Sequence, residues 1–255
     1  MKLLPLLFIL PAVAGAADFE RDISPGRPDQ TQGTSTLEPG HFQIEIGAWT
    51  YTKDKSGNTT DQTWSIGETN LVFGVTKNFD LEMLLRPYIR DSARGGSSSD
   101  SEGFGDIDLL GRWNLWGNDG GKSSAALVPF VTIPTQTAVS SGQWEGGLIF
   151  SESYQIADGW NLNGEVGASR VWNDSTSRHE WDFLHTVEIE HDLGKNGGVY
   201  LEYVGAAGCH GYDCSVSAGI TWKVGDNCQL DLGGLYGLSD TADDFSITQG
   251  VSFRF

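Results

Sequence analysis

The sequence predicts an all-β protein, a closed antiparallel transmembrane β-barrel of about 12 strands preceded by a signal peptide. Three observations carry that prediction. From Gly40 onward, stretches with period-two alternation are separated by Gly, Asn, Asp and Ser clusters, the rhythm of strands joined by turns. The 255 residues include 34 Gly and 9 Trp but only 2 Met, unlike a helix-rich enzyme. The mean hydropathy of −0.26 excludes a helical membrane bundle, so any crossing of a bilayer is made by strands.

At the N-terminus, Lys2 precedes an apolar run from Leu3 to Val13 and then Ala14-Gly15-Ala16. That is the layout of a secretory signal peptide over residues 1–16, and the run is shorter than the ~20 residues a transmembrane helix needs. Residues 17–39 are rich in Pro, Asp, Thr and Gly, too polar to cross lipid. They are expected to form a periplasmic N-terminal segment or lumen plug, with Arg21 and Arg27 meeting inward carboxylates; the same composition also fits a disordered leader. Residues 40–255 form the barrel. Its strands are expected at 40–52, 62–76, 80–91, 104–115, 123–134, 143–155, 160–172, 179–192, 198–208, 212–224, 228–238 and 244–255. An even count lets both chain ends leave on one side, as bacterial barrels require. The loops near Lys53–Asp61, Ser92–Glu102 and Thr135–Gly142 then face outside.

The last strand is the clearest. Phe245, Ile247, Val251, Phe253 and Phe255 share one face, interrupted by Gln249, while Asp244, Ser246, Thr248, Ser252 and Arg254 share the other. Strand 80–91 repeats the pattern, with Pro87 expected near a strand end or a bulge because it cannot donate to a ladder. In strand 179–192, Trp181, Phe183, Val187 and Ile189 oppose Glu180, Asp182, Glu188 and Glu190. A soluble sandwich would also alternate, but with shorter strands and aromatics at mid-strand. Here aromatics gather near strand ends: Trp49, Trp64, Trp144 and Trp181 at one rim, Phe42, Trp116, Trp160, Tyr200 and Trp222 at the other. Two girdles at headgroup height favour a membrane barrel with its apolar face outward. Three strands fit less well: 123–134 is apolar on both parities, 143–155 must turn either Glu145 or Glu152 outward, and 160–172 carries Arg170 on its apolar face.

The wet face is therefore enclosed. It contains Glu45, Glu68, Glu82, Asp106, Asp108, Glu180, Asp182, Glu188, Glu190, Glu202 and Asp231 against Arg86, Arg90, Arg112, Lys223 and Arg254. Charges at that density need partners or water. Either a network of cross-strand ion pairs plugs the lumen, or a hydrated passage runs through it, and an acidic lining of this kind predicts faster entry of cations. The net charge of −18 argues against nucleic acid as a partner. No nucleophile–base motif stands out and the five histidines do not cluster with the cysteines, so neither an enzyme nor a metal or other cofactor is predicted. Cys209 and Cys214 flank a loop tip, and their spacing allows a local disulfide that would leave Cys228 single.

As a set, Arg27-Pro28-Asp29, LEPGHFQIE (37–45), GFGDIDL (103–109), LVPFVTIPT (127–135), GLIFSESYQIADGWNLNGEVG (147–167) and the ending GLSDTADDFSITQGVSFRF resemble the outer-membrane transporter family named for the phenol meta-cleavage (MetA) pathway. The resemblance implies a Gram-negative outer-membrane barrel that moves small molecules. It supplies no catalytic or binding residues, and the family's name does not make phenol the substrate. The expected function is passive or facilitated passage of small solutes. The alternative is a closed structural or adhesion barrel. Outer-membrane lipid and lipopolysaccharide would surround the barrel, and the barrel-assembly machinery would read the terminal strand through Val251, Phe253 and Phe255.

Overall fold

The computed structural model describes residues 21–95, 98–208 and 211–255, so the expected signal peptide and Cys209 lie outside the described residues. Among these, every regular element is a strand: β1 (Phe42–Ser56), β2 (Thr59–Thr76), β3 (Phe79–Leu85), β4 (Tyr88–Arg94), β5 (Ser99–Gly103), β6 (Ile107–Trp116), β7 (Ser123–Ile133), β8 (Glu145–Ala157), β9 (Trp160–Asn173), β10 (Arg178–Leu193), β11 (Gly197–Gly208), β12 (Gly211–Lys223), β13 (Cys228–Gly237) and β14 (Phe245–Arg254). Both β3 and β4 pair with β2, and they are one barrel strand broken at Arg86-Pro87. β5 and β6 are likewise one strand broken between Phe104 and Asp106. The fourteen segments therefore make a closed antiparallel barrel of twelve strands. Closure comes from β1, which pairs with β2 on one side and with β14 on the other, from Gln43↔Arg254 to Lys53↔Phe245. Phe42 and Phe255 fasten the seam's end by exchanging both backbone hydrogen bonds, at 3.1 and 2.8 Å.

The barrel is inverted relative to a soluble protein. On β10, Trp181, Phe183 and Val187 are 53–54% exposed, while Thr186 and Glu188 between and beyond them are 2–3% exposed. Apolar side chains face out and carboxylates face in, the arrangement that satisfies a hydrocarbon exterior. Glu145 turns inward, opposite Thr132, and Glu152 is exposed, opposite Ala125, and borders the interior space. Arg170 stands outside over the Trp181 ring at 5.2 Å, and Gln249 is held on the outer face by Trp49 Nε1 at 3.1 Å. Tyr200 departs from the expected girdle: it points inward, 7% exposed, with its hydroxyl 3.1 Å from Ser217 Oγ. It shares its parity with Glu202, so alternation on β11 places it among the polar residues.

Alternation is interrupted along one row. The registers place Ala48 of β1, Gly67 of β2, Pro87 and Gly105 opposite one another, each an extra residue between an inward and an outward neighbour. Gly67 has φ +73°, a conformation a side chain would resist. Across it, Ile66 faces out at 44% exposed whereas Glu68, opposite Gly47, faces in. β14 does not share the extra residue, and its register with β1 shifts between Gly47 and Trp49.

Candidate functional site

Residues 21–39 form no strand, because Pro25, Pro28 and Pro39 lack donors and the glycines between them favour turns. They enter the barrel, and their backbone N–H groups need acceptors that no ladder supplies. The wall provides carboxylates, which can only accept. Gly26 N–H donates to Glu45 at 3.3 Å, Thr31 N–H and Oγ1 donate to Glu202 at 2.8 and 2.7 Å, Gln32 N–H donates to Glu165 at 2.7 Å, and Leu37 N–H donates to Asp80 at 2.9 Å. Asn114 and Asn118 meet the carbonyl of Thr34 and the backbone N–H of Thr36. This explains why the interior holds more acids than bases: many of the carboxylates are compensated by peptide dipoles instead of cations.

Two arginines fix the segment from opposite directions. Arg27, on the plug, reaches Asp231 at 3.2 Å and Thr248 Oγ1 at 3.1 Å. Arg112, on the wall, pairs with Glu82 at 2.9 Å and donates to Ser35 O and Gln32 Oε1. The guanidinium of Arg27 lies where the wall has no side chains. A Cβ on Gly47 would stand 2.9 Å from its Nη1, and one on Gly250 would stand 2.6 Å from its Nε. Gly233 similarly makes room for Pro28. The wall is thus shaped to this segment. Burial, followed by the nearby Glu188 charge, pushes the carboxyl of Asp29 well above the usual carboxylate range.

The plug divides the interior. A cavity of about 730 Å³ lies among the plug, Lys223, Glu190 and the turns at Gly120 and Asn196. Another of about 380 Å³ lies over Arg27 and Pro28, lined by Thr50, Ser65, Glu68, Leu84, Arg86 and Leu235.

The structure brings together most of the residues read from the sequence as lumen-lining. Glu45, Glu82, Glu188, Glu202, Asp231, Arg112 and Arg254 are all 5% exposed or less, and Arg254 donates to Arg21 O at 2.7 Å. Glu68, Arg86 and Asp108 meet beside the smaller cavity, with Arg86 2.8 Å from Asp108. Lys223 reaches Asp22 at 3.4 Å. Three lie apart from the plug: Asp106 accepts from Thr135 and Ser141 and ties down the loop after β7, Glu180 binds Arg178 at the end of β10, and Asp182 sits opposite Ser169. Arg90 is a correction. It lies opposite Trp64 on the outer face, 49% exposed at the side chain, and its ion-pair partner is Asp100. The extra residue at Pro87 reverses the alternation that would have turned it inward.

Sequence reading passed over Asp80 and Glu165 as lining residues, although Asp80 alternates with Glu82 and Glu165 with Asn163. It also missed the glycine recesses, which have no local signature. Cys214 and Cys228 carry free thiols, and the proposed partner Cys209 lies outside the described residues.

Fold and site together define a class: a membrane-type β-barrel whose lumen holds its own N-terminal segment. The chain belongs to the family described as "Putative MetA-pathway of phenol degradation", whose model matches residues 25–255. It is similar in fold to an outer membrane channel from Pseudomonas putida F1, at a TM-score of 0.67 and 13% identity over 92% of this chain and 100% of that one. The KdgM porin in complex with disordered oligogalacturonate gives a TM-score of 0.55 at 11% identity, over 84% of this chain and 99% of that chain. The NanC porin gives 0.53 at 7%, over 83% and 98%. No curated protein matches the chain in sequence.

Proposed function

We propose that this protein is an outer-membrane channel for passive or facilitated passage of small molecules, closed at rest by residues 21–39. The observation that carries the reading is how the plug is held. It contributes no strand to the ladder and is retained by side-chain hydrogen bonds and ion pairs to the wall. Such contacts exchange with water far more readily than a twelve-stranded ladder opens, so the plug can leave while the barrel stays intact. Family membership and the fold shared with porins support the same reading. The protein acts without catalysis. Residues 1–16 direct its export, the barrel-assembly machinery recognises Val251, Phe253 and Phe255, and lipopolysaccharide contacts the outer rim.

The competing reading, a closed structural or adhesion barrel, draws on the same filled lumen. Planar-bilayer recording separates the two. The processed chain is expected to conduct in brief openings, and deletion of residues 17–35 to give sustained conductance. A folded protein that stays silent in both forms would establish the closed barrel instead.

A further inference from the structure

Most carboxylates of the inner wall are already engaged. Those facing the plug accept its backbone N–H groups, Asp231 is paired with Arg27, and Asp108 with Arg86. Glu68 differs. Among the described residues it accepts no hydrogen bond, its side chain is 31% exposed into the 380 Å³ cavity, and its nearest cations are Arg86 Nε at 3.5 Å and Arg27 Nη1 at 3.9 Å. Arg27 and Arg86 therefore serve three carboxylates, Asp231, Asp108 and Glu68, and with each arginine matched to its own aspartate, Glu68 is the least compensated of the three.

Its surroundings strengthen that charge. Leu84, Leu110 and Leu235 line the same cavity, and apolar walls concentrate the field of a charge beside them. Ser65 and Asn70 also line the cavity, and their Oγ and Oδ1 are buried without a protein partner. The extra residue at Gly67 is what turns Glu68 toward this space instead of outward beside Ile66.

We propose that Glu68 is a charge-selecting residue of the passage and that this cavity takes small cationic solutes. An ammonium group donates to Glu68, and an apolar body lies against the leucines. The proposal rests on the channel reading above.

The test measures reversal potentials across a KCl gradient for the processed chain, Glu68→Gln, Glu68→Asp, Glu68→Lys and, as control, Glu102→Gln, which lies opposite the outward-facing Arg90. The native chain is expected to favour K⁺. Glu68→Gln lowers the K⁺/Cl⁻ permeability ratio about twofold, since the carboxylates the plug leaves behind, Asp231 and Glu202 among them, still favour cations. Glu68→Lys lowers it further, and Glu68→Asp and Glu102→Gln keep the native ratio. In liposome swelling, benzylammonium enters faster than benzoate, and Glu68→Gln narrows the difference. Conduction with an unchanged ratio in Glu68→Gln, or equal entry of the two probes into native liposomes, would overturn this inference and leave the channel reading standing. Silence of both the full chain and the residue 17–35 deletion would overturn the channel reading, and this inference with it.

Discussion

Replacing Arg27 with alanine isolates one hold on the plug whose size can be worked out. Its guanidinium is 12% exposed at the side chain and meets Asp231, which is fully covered, at 3.2 Å. Removing one partner of a buried pair costs about 3–5 kcal/mol, because the remaining charge is left without compensation. That penalty falls on the seated state alone, since water reaches Asp231 once the plug has left. Taking the lower end, about 3 kcal/mol at 1.4 kcal/mol per factor of ten shifts the seated-to-unseated ratio by roughly 100-fold. Single-channel recording reads this as a rise of about two orders of magnitude in the ratio of open to closed time. The double variant Arg27→Ala/Asp231→Asn should recover a large part of the native closed time, because a neutral amide leaves no buried charge behind. If Arg27→Ala behaved as the native chain while deletion of residues 17–35 opened the pore, the arginine would not be what holds the plug, and the energetic argument would be refuted.

Gly47→Ala should raise open time by less than Arg27→Ala, with the barrel intact, because the added methyl meets only the movable guanidinium of Arg27; heat-modifiable mobility on gels checks the barrel and conductance the plug. The plug should loosen as pH rises. The carboxyl of Asp29 is pushed upward when seated, so the seated state binds the extra proton, is favoured at low pH, and loses that advantage as pH rises through the raised value. Conductance recorded across pH should show the trend, and Asp29→Asn should flatten it. Deleting Phe255 removes the residue that exchanges both backbone bonds with Phe42, and should reduce the fraction of folded, heat-modifiable barrel in membranes. Recovery of the processed chain as a water-soluble monomer without detergent would contradict the inverted packing itself.

Much of the barrel was legible in the sequence because the information is local. Period-two alternation states which residues share a face, and the girdle aromatics state which face is outside, so Trp181 and Glu188 could be assigned without a structure. Alternation fails where a strand carries an odd extra residue. Pro87 marked a break, but the composition of strand 80–91 did not reveal that parity reverses there, and Arg90 was turned the wrong way. Tyr200 was misplaced because position near a strand end was weighed above parity. The plug seat was least legible. That Glu202 would cap Thr31, or that Gly47 would clear space for Arg27, depends on residues about 170 and 20 positions apart in the chain, whose meeting is decided only when the cylinder closes.

The matched extra residues at Ala48, Gly67, Pro87 and Gly105 constrain how the gene can change length. A one-codon loss in any single strand would leave its neighbours carrying an unmatched residue, and every cross-strand partner on one side of the gap would slip by one. Loss at all four together would keep these strands in step, and would even remove the slip now absorbed between β1 and β14. Natural indels in this third of the barrel should therefore be inherited in concert, and a homologue lacking one of the four should lack the others.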